Sequence, residues 1–66
     1  MVDILKVSIL GLLASGPKTK KELFNSLRPR WVVTSDKDFS NGFSQSIQAL
    51  MNEGRITVQG RTVRLK

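Results

Sequence analysis

The stretch Ile47-Gln48-Ala49-Leu50-Met51-Asn52-Glu53-Gly54-Arg55-Ile56-Thr57-Val58-Gln59-Gly60-Arg61-Thr62-Val63-Arg64-Leu65 changes its apolar period from helical to alternating within a few residues. A helix therefore gives way to a hairpin, and Gly54 is well placed as the left-handed residue after the helix end. In Arg55 to Lys66, Ile56 and Val58 alternate with polar residues, and so do Val63 and Leu65. A two-residue turn at Gly60-Arg61 sets Val58 opposite Val63 and Ile56 opposite Leu65, and glycine at its first position suits a type II′ turn. Moving the turn to Gln59-Gly60 would set Val58 opposite Arg61 and break the apolar face, so that register loses.

Upstream, Phe43, Ile47, Leu50 and Met51 share one helical face and predict a third helix from about Asn41 to Glu53. Before it, Trp31-Val32-Val33-Thr34 has strand-forming composition and Ser35-Asp36-Lys37-Asp38 reads as a turn, which predicts a short extended piece and a loop. Thr19-Lys20-Lys21-Glu22 is a capping-box pattern opening a second helix over residues 20 to 27, with Leu23, Phe24 and Leu27 inward. Arg28-Pro29 should close it, because the residue before proline is pushed away from helical backbone. Ile4, Leu5, Ile9, Leu12 and Leu13 predict a first helix over residues 3 to 15, ended by Gly16-Pro17. Val7 and Leu10 fall outside that stripe, so the apolar surface is wide and offers a candidate homodimer contact. The order is helix, helix, short extended piece, helix, hairpin. That is an α+β fold, the layout of a three-helix winged helix-turn-helix with a C-terminal two-stranded wing, in one domain spanning 1–66.

Composition narrows the chemistry. The 66 residues contain neither cysteine nor histidine, so the chain lacks the disulfide, the thiolate ligand, and the commonest general base and metal ligand. With no glycine-rich phosphate loop and no paired carboxylates either, no enzyme, cofactor, metal or small-molecule substrate is expected. Asp36 and Asp38, beside Ser35 and Lys37, make a poor metal site and are better explained by a turn. No apolar run approaches a membrane span, and Met1-Val2-Asp3 is not a basic leader, so a cytoplasmic protein is expected. Eleven Lys and Arg against five Asp and Glu give +6, a field that favours polyanions, nucleic acid first. The competing explanation is charge that keeps a small protein dissolved.

Ile9-Leu10-Gly11-Leu12-Leu13-Ala14-Ser15-Gly16-Pro17, followed by Lys21-Glu22-Leu23, resembles the opening of PadR-type winged-helix regulators. Ile47 to Ile56 resembles the end of their recognition helix and the start of the wing, a pattern widespread among winged helices. The resemblance covers nearly the whole chain and is weakest over residues 28 to 40, where the segment is longer than a tight helix-turn-helix needs. It implies a DNA-binding domain whose third helix enters the major groove while the wing meets the backbone or minor groove. The dimerisation helices of that family have no counterpart here.

Opposite the apolar stripe of the third helix lie Asn41, Gln45, Gln48 and Asn52, a row of amides bordered by Ser44. Amides can pair with the adenine edge, so these are the candidate base readers. A solvated polar face is the alternative, but such faces are usually built from Glu and Lys, and no charge falls between Asn41 and Asn52. Lys18, Lys20 and Lys21 cluster at the start of the second helix, where a phosphate could accept free backbone amides; three solvated lysines explain them equally well. On the hairpin, Arg55, Arg64 and Lys66 suit the backbone, and Arg61 at the tip suits a narrow minor groove; charge that protects an edge strand is the competing account. Arg28 and Arg30 flank Pro29 before Trp31, and this pair completes the candidate backbone contacts; the tryptophan itself reads better as a lid on a small core.

Three readings follow. The leading one is a transcription regulator that binds double-stranded DNA. The second is an architectural, chromatin-like protein that coats nucleoid DNA without sequence preference. The third is a winged-helix protein-interaction module, which an exposed Trp31-Val32-Val33 patch would favour.

Overall fold

A computed structural model describes residues 2–66. In order come α1 (Val2–Leu13), β1 (Lys18–Thr19), α2 (Lys20–Leu27), a 3₁₀ turn (Arg28–Trp31), α3 (Asp36–Asn52), β2 (Ile56–Gln59) and β3 (Thr62–Leu65). Three helices and a C-terminal antiparallel hairpin make the expected α+β layout of a winged helix. The accessible surface, 4251 Å², is close to the roughly 4,200 Å² of a monomeric folded chain of this mass, so the core closes without a partner.

The hairpin has the register its alternation requires, with Ile56 opposite Leu65 and Val58 opposite Val63. Gly60 has φ of 60° and Arg61 does not have positive φ, as type II′ demands and type I′ forbids. The end of α3 is a full Schellman motif. Arg55 N–H donates to the Leu50 carbonyl at 2.9 Å and Gly54 N–H to that of Met51 at 3.0 Å, across Gly54 at φ 73°. The helix is thereby stopped at Asn52, leaving three residues before the wing's first strand.

Several expectations about the elements are corrected. Trp31-Val32-Val33-Thr34 is not extended: Arg28–Trp31 form a 3₁₀ turn, and Val32 and Val33 leave it 78% and 97% exposed. Strand composition is realised only where a ladder partner exists, and this segment has none. α2 ends at Leu27 as expected, but Pro29 does not push Arg28 out of helical backbone (φ −51°, ψ −44°): the chain passes directly into a 3₁₀ turn, early in which proline's fixed φ fits and its missing N–H costs nothing. Ser35-Asp36-Lys37-Asp38 is not a free turn but the start of α3, five residues earlier than expected. The Ser35 hydroxyl accepts from Asp38 N–H at 3.1 Å, and Asp36 and Asp38 sit where the helix dipole favours anions. Finally, α1 ends at Leu13, two residues early.

The longer α3 adds Phe39 to the buried stripe of Phe43, Ile47 and Leu50. Phe39 is fully buried, and Phe24 meets it edge-on at 4.9 Å between ring centroids. Trp31 covers it from outside at 5.8 Å, half-buried as a lid. Leu5, Ile9 and Leu13 of α1, Leu23 and Leu27 of α2, and Ile56 and Val63 of the hairpin complete the core. Where α1 passes α3, Gly42 and Ser46 are buried, and the Ser46 hydroxyl donates to the Gly42 carbonyl at 2.7 Å. Ile4, expected in the inward stripe, is instead 62% exposed beside Val7 at 71%, while Leu10 is half-buried against the core. The outward apolar face of α1 is therefore carried by Ile4 and Val7.

Candidate nucleic-acid interface

The amide row of α3 is presented as its spacing requires. Asn41, Ser44, Gln45, Gln48 and Asn52 are all exposed, on the side away from Phe43, Ile47 and Leu50. Gln48 Nε2 donates to Asn52 Oδ1 at 3.1 Å, which couples the last two amides one turn apart. Met51, expected on the buried face, is 40% exposed and turns into a groove between α3 and the wing. Lys20, Ser44, Gln48, Val58 and Gly60 also line this groove, so it joins the amide row to the hairpin and to the start of α2.

Extending α3 also adds a residue missed in the sequence. Lys37 is exposed in the first turn and, eleven residues before Gln48, projects on the same helical face as the amides. Its signal was the Ser35-x-x-Asp38 cap, which places Lys37 inside the helix.

The two basic clusters that lie far apart in sequence are one cluster in space. β1 pairs with β3, Lys18 opposite Val63 and Thr19 opposite Thr62, making a three-stranded sheet in the order β1-β3-β2. Lys20 N–H donates to the Arg61 carbonyl at 3.0 Å. Lys20, Lys21 and Arg61 consequently border one hollow with Thr19 and Gly60. A two-residue strand has no legible pattern, so only the tertiary pairing reveals this junction.

The start of α2 offers a phosphate fewer free amides than expected. Thr19 N–H donates to Glu22 Oε1 and Glu22 N–H to Thr19 Oγ1, each at 3.0 Å, and Lys20 N–H is held by Arg61. The Thr19 backbone amide and hydroxyl hold the Glu22 carboxyl below the usual range, so a negative charge already occupies the helix end. What remains for a polyanion is the Lys21 backbone N–H and the lysine side chains.

Arg28 is committed elsewhere. Its Nε and Nη2 donate to Asp36 Oδ1 at 3.0 and 2.8 Å, Nη2 also to the Thr34 carbonyl at 2.8 Å, and Nη1 to that of Trp31. Its guanidinium carbon lies 5.3 Å from the centre of the Phe39 ring. Arg28 clasps the 3₁₀ turn to the start of α3 and so helps to set the helix that carries the amides. Arg55 is paired to Glu53 at 3.2 Å, and Lys6 is paired to the same carboxylate, whose pKa it lowers. Arg64 and Lys66 are exposed; Lys66 N–H donates to the Arg55 carbonyl, at the foot of the wing and roughly 13 Å from its tip at strand rise. Arg30 is exposed on the 3₁₀ turn. Among the described residues, Lys18, Lys20, Lys21, Arg30, Lys37, Arg61, Arg64 and Lys66 are in no salt bridge. The cations left free thus gather mainly along the start of α2, the wing and the first turn of α3.

No group of three or more candidate metal ligands occurs among the described residues, and none of their helices is long and apolar enough to cross a membrane. Compared with known families, curated proteins and solved structures, the chain finds no match in any of the three.

Proposed function

We propose that this chain is a double-stranded DNA-binding domain, a PadR-like transcription regulator that reads the major groove with α3 and grips the backbone or minor groove with its wing. The observation that carries the reading is the exposed, uncharged row Asn41, Gln45, Gln48 and Asn52 on an otherwise basic molecule. A face kept only for solvation gains from Glu and Lys; one that must exchange water for base edges gains from amides. Lys37 lies on the face of the row and Lys20 lines the groove beside it; with Lys21, Arg61 and Arg64 they supply the sequence-independent attraction. In this reading the protein works by binding and not by catalysis, and it resides on the nucleoid in the cytoplasm.

A second copy is the proposed partner at α1. Its outward positions Ile4, Val7 and Gly11 are joined by Asp3, and its single basic residue, Lys6, is paired to Glu53. Two chains of charge +6 can meet there without bringing free cations together.

The test is titration against a random-sequence duplex at several salt concentrations, followed by comparison with sites selected from a random pool. Steep salt dependence with strong preference for selected sites is the expected result. Salt-dependent binding without preference would favour the architectural protein. No binding near ~50 mM salt would favour the protein-interaction module, for which the exposed Val32 and Val33 are the specific support.

A further inference from the structure

Resting on the DNA-binding reading above, we infer that the site is built for A·T base pairs, recognised through adenine edges and thymine methyls by α3 and through a narrow minor groove by the wing. Each base presents a different edge in the major groove. Guanine offers two acceptors and is most often met by Arg or Lys; cytosine offers a donor and is met by Asp or Glu; adenine offers one of each and is met by Asn or Gln. From Asn41 to Asn52, α3 carries neither cation nor carboxylate, only amides, serines and apolar residues. Between Asn41 and Asn52 the face therefore lacks the groups that would read guanine or cytosine; Lys37, one turn ahead of Asn41, and Asp38 lie outside that span in the first turn of the helix.

The Gln48 to Asn52 hydrogen bond sharpens the match. It uses one Gln48 N–H and the Asn52 oxygen, and leaves the Gln48 oxygen, its second N–H and the Asn52 amide hydrogens uncommitted on two exposed side chains. An acceptor beside donors is the complement of the adenine N6 donor and N7 acceptor. Beside this pair, Met51 exposes part of its side chain in the groove between α3 and the wing. The thymine methyl is the one apolar group on the major-groove edges, and a methionine next to an adenine-reading amide suits the thymine of the same or the next pair.

The wing points to the same base composition by a separate route. Arg61 stands at the tip of the turn, exposed, with its backbone held by Lys20 N–H. A narrow minor groove of strongly negative potential attracts such an arginine, and runs of A·T pairs provide that groove.

The experiment uses the intact chain and three duplexes of equal length at one salt concentration, made only of A·T, only of inosine·C, or only of G·C pairs. Inosine·C shows the major-groove edge of G·C but lacks the guanine amino group in the minor groove. The expected order has A·T bound about tenfold or more tighter than inosine·C. Gln48→Ala, a change at an exposed position, is expected to abolish most of that gap while the melting temperature holds. Replacing thymine by uracil, which removes only the methyl, is expected to weaken binding several-fold, and Met51→Ala to cancel that sensitivity. Equal binding of A·T and inosine·C would overturn the major-groove readout and leave DNA binding standing. Equal binding of all three would overturn the inference entirely and identify an architectural protein. Failure to bind any duplex near ~50 mM salt would overturn the DNA-binding reading itself.

Discussion

The backbone amide of Lys20 donates to the carbonyl of Arg61 at 3.0 Å, so the first residue of α2 and the tip of the wing are held together by the main chain. In the proposed DNA-binding reading, side chains that lie forty residues apart in sequence would then act on one stretch of DNA backbone. Lys21→Ala and Arg61→Ala should each weaken binding to all duplexes alike and reduce the salt slope by about 1, the signature of one lost phosphate contact. Titrations at four or more salt concentrations measure this. An unchanged slope in both variants would remove the junction from the interface.

Arg28→Ala should behave in the opposite way. Its guanidinium is spent on Asp36, Thr34 and Trp31, so the salt slope should hold while stability falls by about 1–3 kcal/mol, as for a lost hydrogen-bond network that includes a charge. Because Asp36 is well exposed, the lower part of that range is expected. Urea unfolding gives the stability directly, and a changed slope with intact stability would return Arg28 to the DNA contacts.

Phe39 is where the corrected start of α3 meets the core. A 66-residue domain has on the order of 3–10 kcal/mol of stability in all. Phe39→Ala should remove about 3–5 kcal/mol by opening a cavity beneath Phe24 and Trp31. Circular dichroism should then find the variant largely unfolded at 37 °C. A melting temperature near that of the parent would place Phe39 outside the core.

Gly11 lies within α1, and a methyl group added there meets nothing within 4 Å. Gly11→Ala should therefore stabilise the isolated fold by about 0.5–1 kcal/mol through helix propensity. Val7→Glu, on the same outward face, should keep the helical circular dichroism, shift sedimentation from dimer to monomer and remove any concentration dependence of the melting temperature. Monomeric parent protein across the accessible concentration range would sink the α1 contact.

The carboxyls of Glu22 and Glu53 both titrate below the usual range, the first through Thr19 and the second through the hydrogen bond from Lys6. A lowered carboxylate pKa contributes stability at pH values above that of the unfolded chain and loses it as the pH falls through the folded value. Melting temperature should be flat near neutrality and fall below about pH 4. Thr19→Ala should soften the Glu22 part of that fall; a variant with an unaltered acid limb would show that the capping box adds nothing there.

Local chemistry alone determined the hairpin, its register, the capping box and the helical face on which the amides lie. Each depends on neighbours a few residues away: period 2 against period 3.6, glycine where φ must be positive, Thr19 three residues before Glu22. The same sequence also held the Ser35 cap, but the aromatic and β-branched run of Trp31-Val32-Val33-Thr34 spoke for a strand, and only the lack of a pairing partner decided against it. What the tertiary structure alone decided is how the pieces meet. β1 is two residues long and exists because β3 is beside it; Arg28 is a clasp because Asp36 and Thr34 come within reach; Met51 lines a groove because α3 and the wing meet there. Contacts between elements have no period in the sequence, since they are set by which buried faces pack together and not by the spacing within any one of them.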